Sequence, residues 1–218
     1  MYFASRMQAG RLLAAELVKK YRYENCAVVA LTDGGVVVGA QIAAQLHCVL
    51  TMLMSEEITL PRENHSIGGI DQNGAFTFNP DFSQGEIDEM TSEYFQYIEQ
   101  EKFNKMHHLN QLLGQGGLIS RDLLKNHIVI LVSDGLPSSF PLLMAMQYLK
   151  PIAIERLIVA TPIASVKAVD WMHISADEIC CLNVPADYIS TEHYYDQDDI
   201  PDHQTIIDTL EKIILQWR

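Results

Sequence analysis

The sequence predicts an α/β protein: a central parallel sheet with helices on both faces, plus a small antiparallel hood. Three observations predict it. Short continuous apolar runs recur along the chain, bounded by turn residues, in the manner of strands buried on both faces. Segments of helical period lie between them. Between residues 55 and 85 the pattern changes to Gly68-Gly69, Asn73-Gly74, Asn79-Pro80 and an alternating "GAFTFN", which reads as hairpins.

The elements follow in order. Residues 5 to 22 place Met7, Leu12, Leu13, Ala14, Leu17 and Val18 at helical spacing among polar residues, with Ser5 as the cap. "NCAVVAL" is the first strand, "TDGG" breaks it, "VVVGAQIAAQL" runs with helical period to Leu46, and "CVLTMLM" completes a strand-turn-helix-strand unit. The hood spans approximately 55–85, with help expected from the N-terminal helix. Glu86 to Leu113 reads as one long helix with Ile87, Met90, Tyr94, Tyr97 and Ile98 on its apolar face, stopped by "GQGG" at 114–117. The parallel pattern then returns: "HIVILV", a helix over 142–149, "RLIVATPI", a helix over 164–172, "EICCLNV" and a closing helix over 203–216. Alternating strands and helices imply a twisted parallel sheet in one domain over residues 1–218. Its site is expected at the carboxyl ends of the strands: at Thr32 through Gly35, at Asp134 through Ser139, and after Ile163.

Composition narrows the function. The 218 residues are 48% apolar and 20% charged, a globular balance with enough chain to bury a substantial core. No stretch of apolar residues is long enough to span a membrane, and the first residues lack the basic and apolar segments of a signal peptide, so a cytoplasmic protein is expected. Cys26, Cys48, Cys180 and Cys181 have neither a disulfide framework nor a metal-binding spacing, and read as reduced, buried thiols. A formal net charge of −13 repels nucleic acid and anionic membranes, and neither is expected as a partner. The same field opposes polyphosphate ligands.

Several short motifs stand in order along the chain. They are "F-x-x-R-x-x-A-G-x-x-L-A" (Phe3, Arg6, Ala9, Gly10, Leu13, Ala14), "L-x-x-G-G-V-x-V" after the first strand, and "I-G-G-I" at Ile67 to Ile70. "L-V-x-D-G-L" (Leu131 to Leu136), "A-x-P-I-A" (Ala160 to Ala164), "D-E-I-C-C-L" (Asp177 to Leu182) and "Y-Y-D" (Tyr194 to Asp196) follow. With these the chain resembles, over nearly its whole length, the predicted phosphoribosyltransferases of the type I phosphoribosyltransferase fold, a Rossmann-like architecture. The resemblance implies a site for 5-phosphoribosyl-1-pyrophosphate with magnesium, beneath a hood, and a homodimer. It places the ribose hydroxyls on two adjacent acids after the apolar strand, and the 5-phosphate on a small loop at a helix N-terminus, where backbone N–H groups and the helix dipole favour an anion. The pyrophosphate meets a basic residue before Gly-Gly and an Arg-Lys pair ahead of the hood.

This chain departs from that pattern at each part. Ser133 stands where the first acid is expected and can still hydrogen-bond a hydroxyl; Asp134 matches the second acid. In the candidate ribose-phosphate segment Ser133, Asp134, Gly135, Ser138 and Ser139, the prolines Pro137 and Pro141 offer no N–H, Phe140 adds bulk, and Ser139 replaces the central glycine. Ser139 equally suits a plain helix cap with Pro141 in the first turn. In the candidate pyrophosphate loop Asp33, Gly34 and Gly35, the glycines survive, but an acid takes the basic position. Asp33 also suits a local cap for the next helix. Glu56 and Glu57 replace the Arg-Lys pair.

Asp33, Glu56, Glu57 and Asp134 could instead converge on magnesium or calcium, since carboxylate oxygens suit both, but no ligand set stands out. "HYYDQDDIPDH" reads as a solvated loop whose tyrosines pack onto the sheet, and His107 and His108 as exposed. Three functions follow. The first is a degenerate phosphoribosyltransferase retained as a binding or regulatory protein. The second is an active, magnesium-dependent enzyme with an altered substrate, holding a small phosphorylated ligand. The third is an acidic scaffold for divalent cations.

Overall fold

The computed structural model describes residues 2–61, 66–113 and 121–216. Its strands, in chain order, are β1 (Cys26–Ala30), β2 (Val49–Met52), β3 (Ser55–Thr59), β4 (Ser66–Asp71), β5 (Phe76–Phe78), β6 (Ile128–Val132), β7 (Arg156–Ile163) and β8 (Glu178–Asn183). Its helices are α1 (Arg6–Tyr21), α2 (Asp33–Leu46), α3 (Gln84–Glu93), α4 (Phe95–Leu113), α5 (Phe140–Leu149), α6 (Val166–Ser175) and α7 (His203–Gln216).

Among the described residues, five strands form one parallel sheet in the order β2-β1-β6-β7-β8. Central β1 and β6 are buried at every position, because both faces of the sheet are covered. The pleat sends alternate side chains to opposite layers. Val28, Ala30, Ile130 and Val132 meet residues of α1, α2 and α7, such as Leu13, Ile42 and Ile206. Ala27, Val29, Val129 and Leu131 meet Leu142 and Ala145 of α5 and Ala168 and Met172 of α6. The predicted two-sided sheet is thus present.

The hood is a three-stranded antiparallel sheet, β3-β4-β5. Asn73-Gly74 makes the predicted turn: Gly74 has φ +81°, a conformation open to glycine, and Asp71 donates its N–H to the carbonyl of Ala75 at 3.0 Å. Ile58, Leu60 and Ile67 of the hood pack with Ile98 of α4. It is α4 that backs this sheet, with the Tyr97 hydroxyl donating to the Thr59 carbonyl at 3.2 Å, while α1 lies beside α2 and against β7 and β8.

The helix predicted over Glu86 to Leu113 is instead two helices. Ser83 and Glu86 form a reciprocal capping box that starts α3 at Gln84, and Tyr94 ends it at φ −106°, ψ 20°. Tyr94 and Met90 pack onto the hood cluster, and the break lets both helices follow that surface. A continuous apolar period cannot report a one-residue change of direction. The predicted stop at 114–117 lies outside the described residues. No helix among the described residues is long and apolar enough to cross a membrane.

Candidate functional site

A cleft of about 660 Å³ opens at the carboxyl ends of β1, β2 and β6, between the main sheet, the hood and α4. Asp33, Gly34, Glu56, Glu57, Ser133, Asp134 and Gly135 all line it. So do His108, Thr191, Glu192 and His203, with Met52, Met54, Leu109 and Ile200 as apolar wall. Placement of the sites at strand ends follows the general rule for open α/β sheets. Ser138 and Ser139 are not part of the cleft wall.

The candidate loops serve the fold first. Thr32, not Asp33, caps α2: its hydroxyl oxygen accepts the Gly35 N–H at 2.8 Å and donates to Asp134 Oδ1 at 2.7 Å. Asp33 sits one position inside the helix, where an acid complements the dipole, and its carboxylate meets His203 Nδ1 at 3.3 Å. Gly35 is buried against Val132 and Ser133 in the same turn. The Ser133 hydroxyl, expected to reach a ligand, is turned inward and donates to the Gly135 carbonyl at 2.7 Å. Ser139 occupies the cap position of α5 without a side-chain cap bond; the Ser138 hydroxyl accepts from the Phe140 N–H at 3.4 Å, and Pro141 stands in the first turn. The helix therefore starts on proline geometry rather than on a serine cap.

Asp134 is a hub of the cleft wall, with both carboxylate oxygens and its carbonyl accepting hydrogen bonds. Its Oδ2 accepts from Arg6 Nε at 2.7 Å, its Oδ1 from Thr32, and its carbonyl from the Tyr195 hydroxyl at 2.6 Å. The Arg6 side chain is 1% exposed, lies over the Tyr195 ring at 4.6 Å, and reaches Asp198 through Nη1 at 3.2 Å. Burial opposes its charge, but the bond to Asp134 and the surrounding acids outweigh that and raise the guanidinium above its ordinary value. Burial pushes the Tyr188 phenol up to about 12 and, with Asp134 beside it, that of Tyr195 further. These groups stay neutral hydrogen-bond partners at physiological pH.

On the hood side, Glu56 accepts from Lys105 Nζ at 3.1 Å and pairs with His108 Nδ1 at 2.7 Å, while Glu57 accepts from the Ser66 hydroxyl. The nearby cation of α4 is thus taken by an acid of the hood. Among the described residues, no group of three or more His, Cys, Asp or Glu side chains is placed to hold a metal ion. Without such a group, and with Asp134 paired to the buried Arg6, the described residues do not fit a magnesium ion held by the protein alone.

Sequence reasoning missed the part played by Arg6, Asp198, Asp199, Tyr188 and Tyr195. The segment around Tyr194 and Tyr195 does pack onto the fold, but its acids are not simply solvated. One signal was available for Arg6: it falls on the buried stripe of α1 with Ala9, Gly10, Leu13 and Leu17, where a lone cation requires a buried acid.

Fold and cleft together define a class, a parallel α/β sheet with a hood over a strand-end cleft. The chain belongs to the phosphoribosyl transferase domain family, which it matches over residues 3–198. It is 24% identical over 194 residues to candidate phosphoribosyl transferases of Mycobacterium tuberculosis strains CDC 1551 / Oshkosh and H37Rv, a match covering 88% of this chain. The chain spans 43% of the length of those relatives. The crystal structure of TT1426 from Thermus thermophilus superposes with a TM-score of 0.70 at 23% identity, covering 100% of this chain and 99% of that one. That likeness is one of fold.

Proposed function

We propose that this protein keeps the phosphoribosyl transferase fold as a non-catalytic binding protein of the cytoplasm, and that its cleft does not hold 5-phosphoribosyl-1-pyrophosphate. The observation that carries this is the sign of the cleft. Asp33, Glu56 and Glu57 line the same cavity as Asp134, at the positions where the family resemblance implies cations. A carboxylate about 4 Å from a phosphate charge costs on the order of 4 kcal/mol at an effective dielectric of 20, roughly a thousandfold in affinity. Pairing reduces this without reversing it: Lys105 Nζ is shared with Glu56, and His203 Nδ1 with Asp33, so each donor already faces an acid of the wall.

The 5-phosphate end supports the same reading. Pro137 and Pro141 lack N–H groups, and the amides of Gly135, Leu136 and Phe140 already donate within the chain. Asp134 is buried, and its Oδ2 and Oδ1 already accept from Arg6 and Thr32, so a ribose hydroxyl would share this carboxylate with two internal donors. A buried acid stripped of its cation is costly, so the internal pair competes directly with any sugar.

Calorimetric titration with phosphoribosyl pyrophosphate plus magnesium tests this, run beside ribose 5-phosphate and beside magnesium alone. No heat from the pyrophosphate is expected. Micromolar binding would overturn the reading and justify a search for the acceptor base.

A further inference from the structure

We propose that the segment between β8 and α7 is an autoinhibitory strap whose tip, Asp187 to Thr191, caps the Gly135 end of the cleft and must lift before a ligand reaches it. The inference rests on the reading that this cleft is the protein's ligand site.

The tip occupies the space over the strand-end loop. A Cβ built on Gly135 would lie 2.6 Å from Tyr188 Oη and 2.7 Å from both Thr191 Cγ2 and Thr191 Oγ1, so these side chains rest directly on the glycine. They also hold each other, Tyr188 Oη to Thr191 Oγ1 at 2.7 Å. A ligand approaching the backbone of Gly135 meets this pair instead. The tip is preshaped: the Tyr194 hydroxyl donates to the Asp187 carbonyl at 3.0 Å and accepts from the Ile189 N–H at 3.3 Å.

Behind the tip lies a firm anchor. Phe3 donates its N–H to the Tyr194 carbonyl and accepts from the Asp196 N–H, each at 2.9 Å. The Asp199 carboxylate accepts from the N–H groups of Arg6 at 2.9 Å and Met7 at 3.1 Å, at the start of α1. Tyr194 and Tyr195 are buried, whereas Ile189 in the tip is 67% exposed. Few buried contacts and much exposure mark the part of a structure that opens locally. The tip can therefore lift on a hinge while Tyr194 to Asp199 stay seated. Because Tyr188 and Thr191 rest on Gly135 in the closed state, lifting of the tip and occupation of that end of the cleft are linked equilibria.

The test is a Tyr188→Ala/Thr191→Ala double variant titrated with ribose 5-phosphate, with Thr191→Val as the partner variant that keeps the bulk. The double variant is expected to bind about tenfold or more tightly than the wild type, and Thr191→Val to match the wild type. No gain in a double variant that retains the wild-type thermal midpoint overturns the strap, as does an equal gain in Thr191→Val. Hydrogen exchange on the unmodified chain supplies an independent arm. The amides of 187–191 are expected to exchange faster than those of Phe3 and Asp196, and equal protection would overturn the hinge. Tight binding of phosphoribosyl pyrophosphate by the wild type would defeat the proposed function separately, through the acidic wall and not the strap.

Discussion

Arg6 Nε lies 2.7 Å from Asp134 Oδ2, joining the first turn of α1 to the end of β6 across 128 residues of sequence, with the arginine side chain 1% exposed. Breaking one side of a buried pair leaves an uncompensated charge, which costs about 3 to 5 kcal/mol. Arg6→Met is therefore expected to destabilise the protein by about that amount, and Arg6→Lys by less, since a lysine keeps the charge but loses the guanidinium fork. Urea unfolding midpoints check this; an Arg6→Met midpoint equal to wild type would mean that the pair does not hold the fold.

Gly34 faces the same pair. A Cβ there would lie 2.1 Å from Asp134 Oδ2 and 2.8 Å from Arg6 Nε, distances that no relaxed contact adopts. Gly34→Ala is expected to displace the carboxylate and cost about 1 to 3 kcal/mol, the usual range for overpacking. Gly85→Ala makes the comparison, because a Cβ on that glycine meets nothing within 4 Å. Equal thermal midpoints for the two variants would sink the steric account.

Neutralising the acidic wall should change its ligand preference. The triple variant Asp33→Asn/Glu56→Gln/Glu57→Gln removes three like charges and frees Lys105 and His203 from their carboxylates. Affinity for inorganic pyrophosphate is expected to rise about tenfold or more, and to weaken as salt is added. Calorimetry at low and high ionic strength reads both effects, and an unchanged affinity would show that these residues do not act on an anion in the cleft.

Alkaline pH should unfold the protein through its buried and half-buried phenols and thiols. Burial raises Tyr21 and Tyr188 from 10.0 to about 12, Cys26 and Cys180 from 9.0 to about 11, and Cys48 from 9.0 to about 12. A raised folded value means that the native state holds the proton more tightly, so this stability is complete below the unfolded values. It is lost as pH climbs through the folded ones. Denaturation midpoints are expected to hold up to about pH 9 and fall steadily from there to about pH 12. Tyrosinate absorbance should lag that of the unfolded chain, and a coincident titration would contradict the burial.

Much of the fold was present in local pattern. The runs around Val28, Ile130 and Val159 are apolar at every position because both faces of their strands are covered, and that requirement is written residue by residue. The hood was equally legible, since Asn73-Gly74 carries the backbone conformation its turn needs. The break at Tyr94 was not, because the apolar period runs on through both α3 and α4 while a surface on the hood decides where the chain bends.

The sequence by itself determined the parallel sheet, the hood, the strand-end location of the cleft and the acidic residues of its wall. Each depends on residue type and spacing along a short stretch. Only the tertiary structure decided that Asp134 is held by Arg6 and Thr32, that Ser133 turns inward, and that Tyr188 and Thr191 cover Gly135. Those partners come from α1, the start of α2 and the segment after β8, and a carboxylate or hydroxyl can bond any donor that folding brings within about 3 Å. Spacing along the chain carries no record of which donor that is.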